Sequence, residues 1–309
     1  MNCTSRIMLG LLTLLISPAA RAQTTRPATM PVIGERISHP FPGVRYVHRT
    51  IGSPRLVDLH IVQIDLRTPG LRFSITEPNG ADAPGETTAE TTRQYLSRVG
   101  AQIAINASSD FADPAGQQYR NHYYVLVSGG QRVSPFKYGE SAIHISRDNV
   151  ATVVDQDPSD RAAGTHGYRC VPPIEPLYIA VGAKNRILAD GINVGGVEYN
   201  GVDFRRNCSG HLPLPRTAVG VSRDGRKLIL LVVDGRQPGH SLGMTTQELG
   251  QVMLELGASD AVNLDGGGSS TLVFADPNPR VLNRPSDGQE RAVGANLAIF
   301  VGVPRGAER

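Results

Sequence analysis

Apolar and polar positions alternate over several stretches of the chain, and this two-residue period is typical of strands that expose one face to water. Residues 55–65 (RLVDLHIVQID) and 71–76 alternate in this way, and Pro69-Gly70 lies between them. The pattern therefore predicts two paired strands joined by a turn. Further short strands are predicted at residues 103–106, 123–128 and 141–154.

The alternation is clearest in the last third of the chain. Residues 217–222 and 227–233 are predicted to form a hairpin around Asp224-Gly225, because Asp-Gly favours a tight turn between two strands. Residues 228–233 are apolar without interruption, which predicts a strand that is buried on both faces. Strands at residues 261–264, 272–274 and 297–303 are predicted to complete the same sheet.

Two segments have the 3.6-residue period of a helix. Residues 88–99 form the first, and Thr87 and Glu90 have the spacing of a capping box at its start. The second lies between another capping box, at residues 245–248, and Gly257, which is predicted to end the helix. Together these elements predict an α+β fold with a mixed β-sheet core flanked by helices, in which loops at the strand ends form one cleft.

The first 22 residues have the pattern of a secretory signal peptide. Arg6 provides a positive start, residues 7–16 are apolar, and Ala20-Arg21-Ala22 matches a cleavage site. The apolar run is shorter than the roughly 20 residues of a spanning helix, which favours cleavage after Ala22 over a membrane anchor. The mature protein is therefore predicted to be secreted or periplasmic, without a membrane span.

The remaining chain is predicted to form one domain. Residues 23–36 are rich in Thr, Pro and Ala and are predicted to be a flexible linker, residues 37–303 the domain, and residues 304–309 a tail. The net charge of +3 and the lack of basic runs with interleaved aromatic residues argue against a nucleic-acid partner. Cys170 and Cys208 remain in the mature chain, and an oxidising compartment favours a disulfide between them over two unpaired thiols.

Three glycines and an aspartate follow a predicted strand in the stretch AVNLDGGGSSTLVF, residues 261–274. Glycine allows positive φ and close approach of a ligand, and successive backbone N–H groups can form an anion-binding nest. Asp265 adds a carboxylate, and Ser269, Ser270 and Thr271 add hydroxyl groups. A plain turn would not need this combination, so a functional loop is favoured. No lysine follows the glycines and the G-x-G-x-x-G spacing is absent, which excludes the standard nucleotide loops.

A second motif, GHSLG at residues 239–243, matches the G-x-S-x-G elbow of serine hydrolases. That elbow requires a strand that runs straight into its first glycine, whereas the predicted strand ends near Val233 and Pro238 intervenes. It also requires a histidine later in the chain, and none of the eight histidines follows Ser241. A serine-hydrolase mechanism is therefore disfavoured.

Four charged side chains lie near the ends of predicted strands: Arg216, Asp234, Arg236 and Asp265. Two arginines beside a glycine loop suit a phosphate or phosphodiester, because a guanidinium group can bind two such oxygens at once. Two aspartates suit acid–base or nucleophilic chemistry at a sugar. Each residue taken singly has an equally good structural explanation, as an ion pair or a turn cap, and it is their combination that favours a site.

A short repeat relates two of the loops. GAQIAIN (residues 100–106) and GASDAVN (residues 257–263) share the pattern G-A-x-x-A-[IV]-N, and each follows a predicted helix and precedes a serine-containing loop. If the two units are related, Asn106 and Asn263 occupy equivalent strand ends and their loops face one cleft. Chance similarity of two helix–glycine–strand corners is an equal alternative.

Residues 215–274 resemble the core of the phosphodiester glycosidase family, and the blocks PRTA, DGR and NLDGGGS carry the resemblance. Residues 290–300 (ERAVGANLAIF) resemble the closing strand of that family, and IAINASSDF resembles its upstream asparagine loop. The site residues implied by the resemblance are Asn106, Arg216, Thr217, Asp234, Gly235, Arg236, Asn263, Asp265, Gly266, Gly267, Gly268 and Ser269.

Two positions depart from the family pattern. The upstream loop usually has two glycines and an aromatic residue after its asparagine, whereas Ala107-Ser108-Ser109-Asp110 precedes Phe111 in this chain. His240 stands where an aromatic residue is usual. Both departures concern the specificity for the sugar more than the type of reaction.

The resemblance implies an exported hydrolase that cleaves a sugar from a phosphodiester-linked glycan such as an exopolysaccharide. Arg216 and Arg236 are predicted to hold the phosphate together with the glycine loop, Asp265 to be the main catalytic carboxylate, and Asp234 to be its partner or orienter. The alternative is a non-catalytic binder of cell-wall or exopolysaccharide phosphodiesters. No organic cofactor is predicted, and a divalent cation held by the carboxylates stays open.

Overall fold

A computed structural model describes residues 30–136, 141–156, 170–171, 176–183, 185–196, 198–199, 202–203 and 210–302. Strands account for 48% of the structure and helices for 9%. Among the described residues there are only two α-helices, and the strand pairs are antiparallel. The prediction of an α+β fold with a mixed sheet flanked by helices is therefore wrong, because many short strands lie in stretches whose alternation is too brief to recognise.

The largest sheet has eight strands and contains the predicted hairpin, which is confirmed. Numbered along the chain and given in spatial order, its strands are β1 (Val32–Phe41), β2 (Val44–Ile51), β3 (Val57–Asp65), β20 (Lys227–Val233), β19 (Arg216–Val221), β21 (Asp260–Asn263), β15 (Asn185–Ala189) and β16 (Ile192–Asn193). Strand β1 begins inside the segment assigned to the linker, so ordered structure starts before residue 37. The outer limits of the domain stay predictions.

The other strands form four smaller sheets. The five-stranded sheet contains, in spatial order, β23 (Pro279–Val281), β22 (Leu272–Ala275), β6 (Ile103–Asn106), β24 (Asn296–Phe300) and β4 (Arg72–Ile75). The six-stranded sheet contains β10 (Gln131–Ser134), β9 (Leu126–Ser128), β14 (Ile179–Ala183), β11 (Ser141–Ile145), β12 (Ala151–Gln156) and β13 (Cys170–Val171). The two smallest contain β5 (Thr87–Thr88), β8 (Gly116–His122) and β7 (Asp110–Asp113), and β17 (Glu198–Tyr199) with β18 (Val202–Asp203).

Several predicted pairings differ from the structure. Strands β3 and β4 are not partners, since β3 lies between β2 and β20 whereas β4 pairs with β24. Likewise β22 and β24 pair with β6 rather than joining the sheet that contains β21. Alternation identifies a strand but not its partner, and these partners lie far away along the chain.

The two helices differ in how well their starts were predicted. Helix α2 (Thr246–Glu255) begins with the predicted capping box at residues 245–248, and Gly257 follows its end at φ +90°. Helix α1 (Thr92–Val99) is instead capped by Thr91 and Gln94. The predicted box at Thr87 is wrong, because Thr87 and Thr88 pair with strand β8. Neither helix is long and apolar enough to cross a membrane.

The main core lies where the inner faces of the three large sheets meet, and it includes Val62, Ile105 and Ile143 from one sheet each. Helix α1 covers the outer face of the five-stranded sheet through Tyr95 and Leu96. Helix α2 covers the outer face of the eight-stranded sheet through its buried apolar side chains. With both outer faces covered, the free ends of β6 and β21 are left to meet at the junction of the two sheets.

Two predictions fall outside the described residues. The signal peptide lies wholly before residue 30, and the disulfide involves Cys208 and the side chain of Cys170, neither of which is described. Both stay predictions.

Candidate functional site

Asn106 joins the ends of β6 and β21. Its side-chain amide donates to the carbonyl oxygen of Asp265 (2.8 Å), and its side-chain oxygen accepts hydrogen bonds from the hydroxyl of Thr217 (2.7 Å) and the backbone N–H of Thr271 (3.1 Å). The backbone N–H of Asp265 donates to the carbonyl of Ala107 (3.0 Å). The two loops that follow the G-A-x-x-A-[IV]-N repeat therefore meet, with Asn106 and Thr217 fully buried between them.

A cleft of about 300 Å³ opens at this junction. Its lining consists of Ser109, Tyr124, Gly182, Ala183, Asn185, Leu214, Pro215, Arg216, Arg236, Asn263, Leu264, Asp265, Gly266, Gly267, Gly268 and Arg291. Asp265 is the one acidic residue among the described residues of the lining, and the hydroxyl of Ser109 donates to its Oδ1 (3.0 Å). The carboxylate is half-buried and reaches the space between the two sheets.

The glycines after Asp265 allow charged side chains to lie against the backbone. A Cβ atom at Gly267, which has φ +64°, would stand 3.2 Å from a terminal nitrogen of Arg236. A Cβ atom at Gly268 would collide with the side chains of Arg291 and Asp287. The glycine run is thus explained by the close approach of two guanidinium groups, since any larger residue would displace them.

The loop amides are less available than the sequence predicted. Residues Gly267–Ser269 form a single 3₁₀ turn. The N–H of Gly267 donates to the carbonyl of Pro215 (3.0 Å), and those of Ser269 and Ser270 donate back into the loop (3.3 Å each). These three amides are therefore occupied, and the positive character of the cleft comes mainly from its arginines.

The three arginines of the cleft have different environments. Arg216 is buried, and its guanidinium donates to the carbonyls of Met244 and Leu212 (3.0 Å each), so it fixes the cleft wall. Arg291 is exposed and forms an ion pair with Asp287 (2.6 Å). Arg236 is exposed and has φ +59°, a backbone conformation that is rare outside glycine. Arg236 is consequently the arginine best placed to contact a ligand.

Asp234 lies behind the cleft. Its side chain is only 1% exposed and accepts hydrogen bonds from the imidazole of His240 (2.9 Å), the side-chain amide of Asn283 (3.0 Å) and the backbone N–H of Arg284. Gly235 is fixed by contact with Pro215, whose nitrogen would stand 2.6 Å from an added Cβ. This environment gives Asp234 no direct route to a ligand in the cleft.

The predicted site residues thus fall into two groups. Those that line the cleft are Arg216, Arg236, Asn263, Asp265, Gly266, Gly267 and Gly268. Those that lie outside the lining and support it are Asn106, Thr217, Asp234, Gly235 and Ser269. The structure brings all of them to one corner of the molecule, and which of them act on a substrate stays a prediction.

Four further residues of the cleft were not predicted from the sequence. Ser109 lies in the loop that departs from the family pattern, and Arg291 lies in the ERAVG block, so both were within reach of the argument. Tyr124 and Asn185 lie in stretches without a recognisable motif. Their contribution depends on β14 and β15, which bring residues 182–185 to the cleft.

Two asparagine side chains have unused hydrogen-bonding capacity at the cleft. Asn185 and Asn263 are directly opposite each other on β15 and β21. The amide nitrogen of Asn185 and the side-chain oxygen of Asn263 are buried without a hydrogen-bond partner among the described residues. Because buried polar groups are almost always paired, an unpaired donor and acceptor at a cleft point to a polar ligand.

Asp110 is a second carboxyl group close enough to interact electrostatically with Asp265. Burial raises the pKa of Asp110 above its usual range and the charge of Asp265 adds to this, against the opposing effects of a hydrogen bond from the N–H of Gly294 (2.7 Å) and of Arg120. Asp110 does not belong to the cleft lining among the described residues. It therefore influences the cleft through its charge rather than by contact.

The side chains that could bind a metal ion lie elsewhere. Among the described residues, the groups of three or more histidine, cysteine or acidic side chains close enough to share an ion are centred on Asp58, and Asp265 belongs to neither of them. A cation held jointly by Asp234 and Asp265, which the sequence left open, has no such geometry here.

The fold and the cleft define a class of protein, an antiparallel β domain in which a carboxylate and guanidinium groups converge at the junction of two sheets. The chain belongs to the phosphodiester glycosidase family, whose model matches residues 99–300. The resemblance carried by the PRTA, DGR and NLDGGGS blocks is thereby confirmed.

Relatives with names are similar over different parts of the chain. The N-acetylglucosamine-1-phosphodiester alpha-N-acetylglucosaminidase of Mus musculus is 28% identical over 242 residues, which are 75% of this chain and 42% of the mouse enzyme. The corresponding enzyme of Bos taurus is 42% identical over 72 residues, which are 23% of this chain and 12% of that enzyme. The chain therefore spans less than half the length of these curated relatives.

A solved structure extends the similarity to nearly the whole fold. The zebrafish catalytic domain of the same enzyme, auto-inhibited by its pro-peptide, has a TM-score of 0.59 and 21% sequence identity, and the match covers 90% of this chain and 86% of that one. At this level of identity the similarity concerns the fold alone.

Proposed function

We propose that the chain is an exported hydrolase that releases a sugar from a phosphodiester-linked glycan. The observation that carries the proposal is the cleft itself, in which the carboxylate of Asp265 lies beside guanidinium groups packed on Gly267 and Gly268. A carboxylate suits attack on a sugar carbon or activation of water, and guanidinium groups suit the phosphate on the other side of the scissile bond.

The presence of a single acidic residue in the described lining fits this substrate class. An ordinary glycoside releases an alcohol, which needs a proton from a second carboxyl group. A sugar phosphodiester releases a phosphate monoester, whose second pKa is only about 6, so the group can leave as an anion. Positive charge from Arg236 and Arg291 then replaces the general acid, while Asp265 acts at the sugar carbon.

The opposite wall of the cleft offers contacts for a sugar. The unpaired amide nitrogen of Asn185 and the unpaired oxygen of Asn263 match the donor and acceptor character of ring hydroxyl groups. Phe111 and Tyr123 are exposed with ring centroids 4.8 Å apart, and Tyr123 also contacts Tyr124 of the lining. An exposed aromatic group of this kind favours a ligand with an apolar face.

In this mechanism Asp234 orients other groups instead of reacting. It holds Arg284 and Asn283, and Asn283 in turn donates to the carbonyl of Ser270 (3.0 Å) and accepts from the N–H of Leu272 (2.8 Å). Asp234 therefore supports the far end of the glycine loop, and through Gly235 it sets the position of Arg236.

A second candidate is a protein that binds phosphodiester glycans without cleaving them. The two functions separate when the purified mature chain is incubated with a panel of sugar-1-phosphodiesters, with mass-spectrometric detection of the released sugar. We expect release by the wild type and none by Asp265→Asn. Binding of a glycan by both proteins without release from any member of the panel would favour the binder.

Export is tested separately, because the cleft says nothing about it. We expect the soluble protein recovered from the periplasm or medium to have the mass of a chain that begins at Gln23. An intact Met1 terminus on exported soluble protein would contradict the predicted signal peptide.

A further inference from the structure

Three histidines and two aspartates form a cluster on the eight-stranded sheet that the proposed reaction does not use. His48 and His60 are directly opposite each other on β2 and β3, and their rings stack with centroids 4.7 Å apart. The Nε2 atoms of both converge on Oδ1 of Asp58, at 2.7 and 3.2 Å. His240 and Asp234 lie on another side of Asp58, close enough for the three to offer a second set of ligand atoms.

We propose that His48, His60 and Asp58 form a binding site for a divalent transition-metal ion of the Zn²⁺ type. Imidazole nitrogen and carboxylate oxygen are the ligands that such ions take from proteins when no cysteine is present. Among the described residues this is one of two groups whose ligand atoms all lie within 4.8 Å of one another, and both groups include Asp58. The site is separate from the cleft and does not depend on the proposed hydrolase activity.

The spacing of the ligand atoms is close to what a metal requires. Bonds of roughly 2.0–2.1 Å in tetrahedral geometry place neighbouring ligand atoms about 3.3 Å apart. His60 already meets this separation from Asp58 at 3.2 Å, and His48 would need to move outward by about half an ångström. The side chain of His48 is 31% exposed, so this movement does not disturb the core.

Groups around the cluster resemble the outer shell of a metal site. The hydroxyl of Tyr46 is hydrogen-bonded to Nδ1 of His60 (2.7 Å), which leaves Nε2 as the ring nitrogen directed at Asp58. Thr50 donates its hydroxyl to the other oxygen of Asp58 (3.3 Å). In metal sites the second ring nitrogen of a ligating histidine and the ligating carboxylate are held by such partners, which fix the ligands before the ion arrives.

The same bonds also describe a plain alternative, in which two neutral imidazoles donate N–H groups to Asp58 and no metal binds. The two readings make opposite predictions about protons. A hydrogen-bonded cluster keeps a proton on each Nε2 atom, whereas a metal needs both as free electron pairs and displaces those protons on binding. Metal binding must therefore weaken steeply as the pH falls.

The cluster is linked to the segment that carries Arg236. The N–H of Asp58 donates to the hydroxyl of Ser241 (3.1 Å), that hydroxyl donates to the carbonyl of Asp234 (2.5 Å), and the N–H of Asp234 donates to the carbonyl of Asp58 (3.1 Å). An ion on Asp58 would thus clamp the segment from Asp234 to Ser241, which includes the GHSLG motif excluded as a serine-hydrolase elbow.

The test is isothermal titration calorimetry of the untagged, chelator-treated protein with ZnCl₂, repeated with CoCl₂ while the visible absorption of Co²⁺ is recorded. We expect one equivalent of Zn²⁺ per chain with a Kd of about 1 µM or tighter, and an absorption spectrum typical of tetrahedral cobalt. Mg²⁺ and Ca²⁺ should not compete at millimolar concentration, because they prefer all-oxygen sites.

Three variants make the result specific. His48→Gln and His60→Gln should each weaken Zn²⁺ binding on the order of 100-fold or more, whereas His39→Gln, an exposed histidine on β1 outside the cluster, should leave it unchanged. His48→Gln is informative even if His60→Gln fails to fold, since His48 is partly exposed. The proposal is overturned if the folded wild type binds no stoichiometric Zn²⁺, or if His48→Gln binds it as tightly as the wild type does.

Discussion

Asp265 and Asp234 occupy similar places in the sequence and different places in the molecule. Each follows a strand of the eight-stranded sheet closely, and each precedes a glycine. Asp265 is half-buried in the cleft with a single side-chain hydrogen bond, from Ser109. Asp234 is 1% exposed, and His240 and other donors occupy both of its oxygens. The two aspartates that the sequence treats as a pair thus have unequal access to a ligand.

The difference shows that the position of an aspartate after a strand does not decide its role. A carboxylate has about four lone-pair sites, and donors already fill those of Asp234. Any new bond to Asp234 would break an existing one inside the protein. Asp265 keeps most of its sites open toward the cleft, which is the condition for acting as a base or nucleophile.

Asp265→Asn should have the largest effect on this comparison. We expect kcat on a sugar phosphodiester to fall by on the order of 10²-fold or more, because the amide keeps the shape but loses the negative charge and the basicity. The melting temperature should stay within about a degree of the wild type, since a partly exposed side chain with one hydrogen bond contributes little to stability. Steady-state kinetics and thermal unfolding measure both.

The matched control is Asp82→Asn, which removes a carboxylate from an exposed turn outside the cleft. It should leave kcat unchanged. A folded Asp265→Asn protein with normal turnover would remove Asp265 from the mechanism and make the glycine loop a binding element.

Asp234→Asn should act mainly on stability. The amide cannot accept the hydrogen bonds that Asn283 and Arg284 donate, and its own NH₂ group would face one of those donors. We expect the free energy of unfolding to fall by about 2–3 kcal/mol, measured by urea denaturation. The loss in kcat should be much smaller than that of Asp265→Asn. The opposite pattern, normal stability with kcat lowered as strongly as in Asp265→Asn, would make Asp234 a reacting group.

Arg236→Lys should change binding more than chemistry. Lysine keeps the positive charge but cannot offer two parallel N–H groups to a phosphate, and it packs differently on Gly267. We expect KM to rise by about 10-fold with kcat within about threefold of the wild type. Arg223→Lys, in the exposed turn between β19 and β20, is the control. A normal KM for Arg236→Lys would show that Arg236 does not hold the phosphate.

Asp110→Asn should produce the smallest effect, visible as a dependence of stability on pH. Because burial raises the pKa of Asp110 in the folded state, the folded protein holds a proton that the unfolded chain releases. The stabilising contribution of protonated Asp110 is therefore complete below the unfolded pKa of about 3.9 and is lost as the pH rises through the folded pKa. Relative to the wild type, the variant should gain stability as the pH rises from 4 to 7 in urea denaturation. A constant difference would contradict the raised pKa.

Local sequence patterns predicted local structure well. The capping box at residues 245–248 and the hairpin of β19 and β20 depend on neighbours within a few positions, and both are present. Thr87 and Thr91 have equivalent spacing to a polar residue three positions later, and only the pairing of Thr87 with Arg120 on β8 decides which of them caps the helix. Such choices, like the partners of β3 and β4, depend on contacts between distant segments.

The site divides in the same way. The sequence brought Asp265, Arg236 and the glycines together because they follow the ends of neighbouring strands, and they share the cleft. It could not separate Asp234 from them, because Asn283 and Arg284, which enclose that carboxylate, lie 49 and 50 positions further along the chain. Asn185 was missed because no periodic pattern surrounds it.

The bridge through Asn106 has a consequence for the kinetics of folding. Asn106 and Asp265 are 159 positions apart along the chain, so a large loop must close before the cleft exists. Contacts of such long range slow folding, since the entropy of closing the loop is lost before the contacts form. The hairpin of β19 and β20 can form early without creating a working cleft. We therefore expect the recovery of activity during refolding to lag behind the recovery of β-structure, with the docking of the two sheets as the step that creates the site.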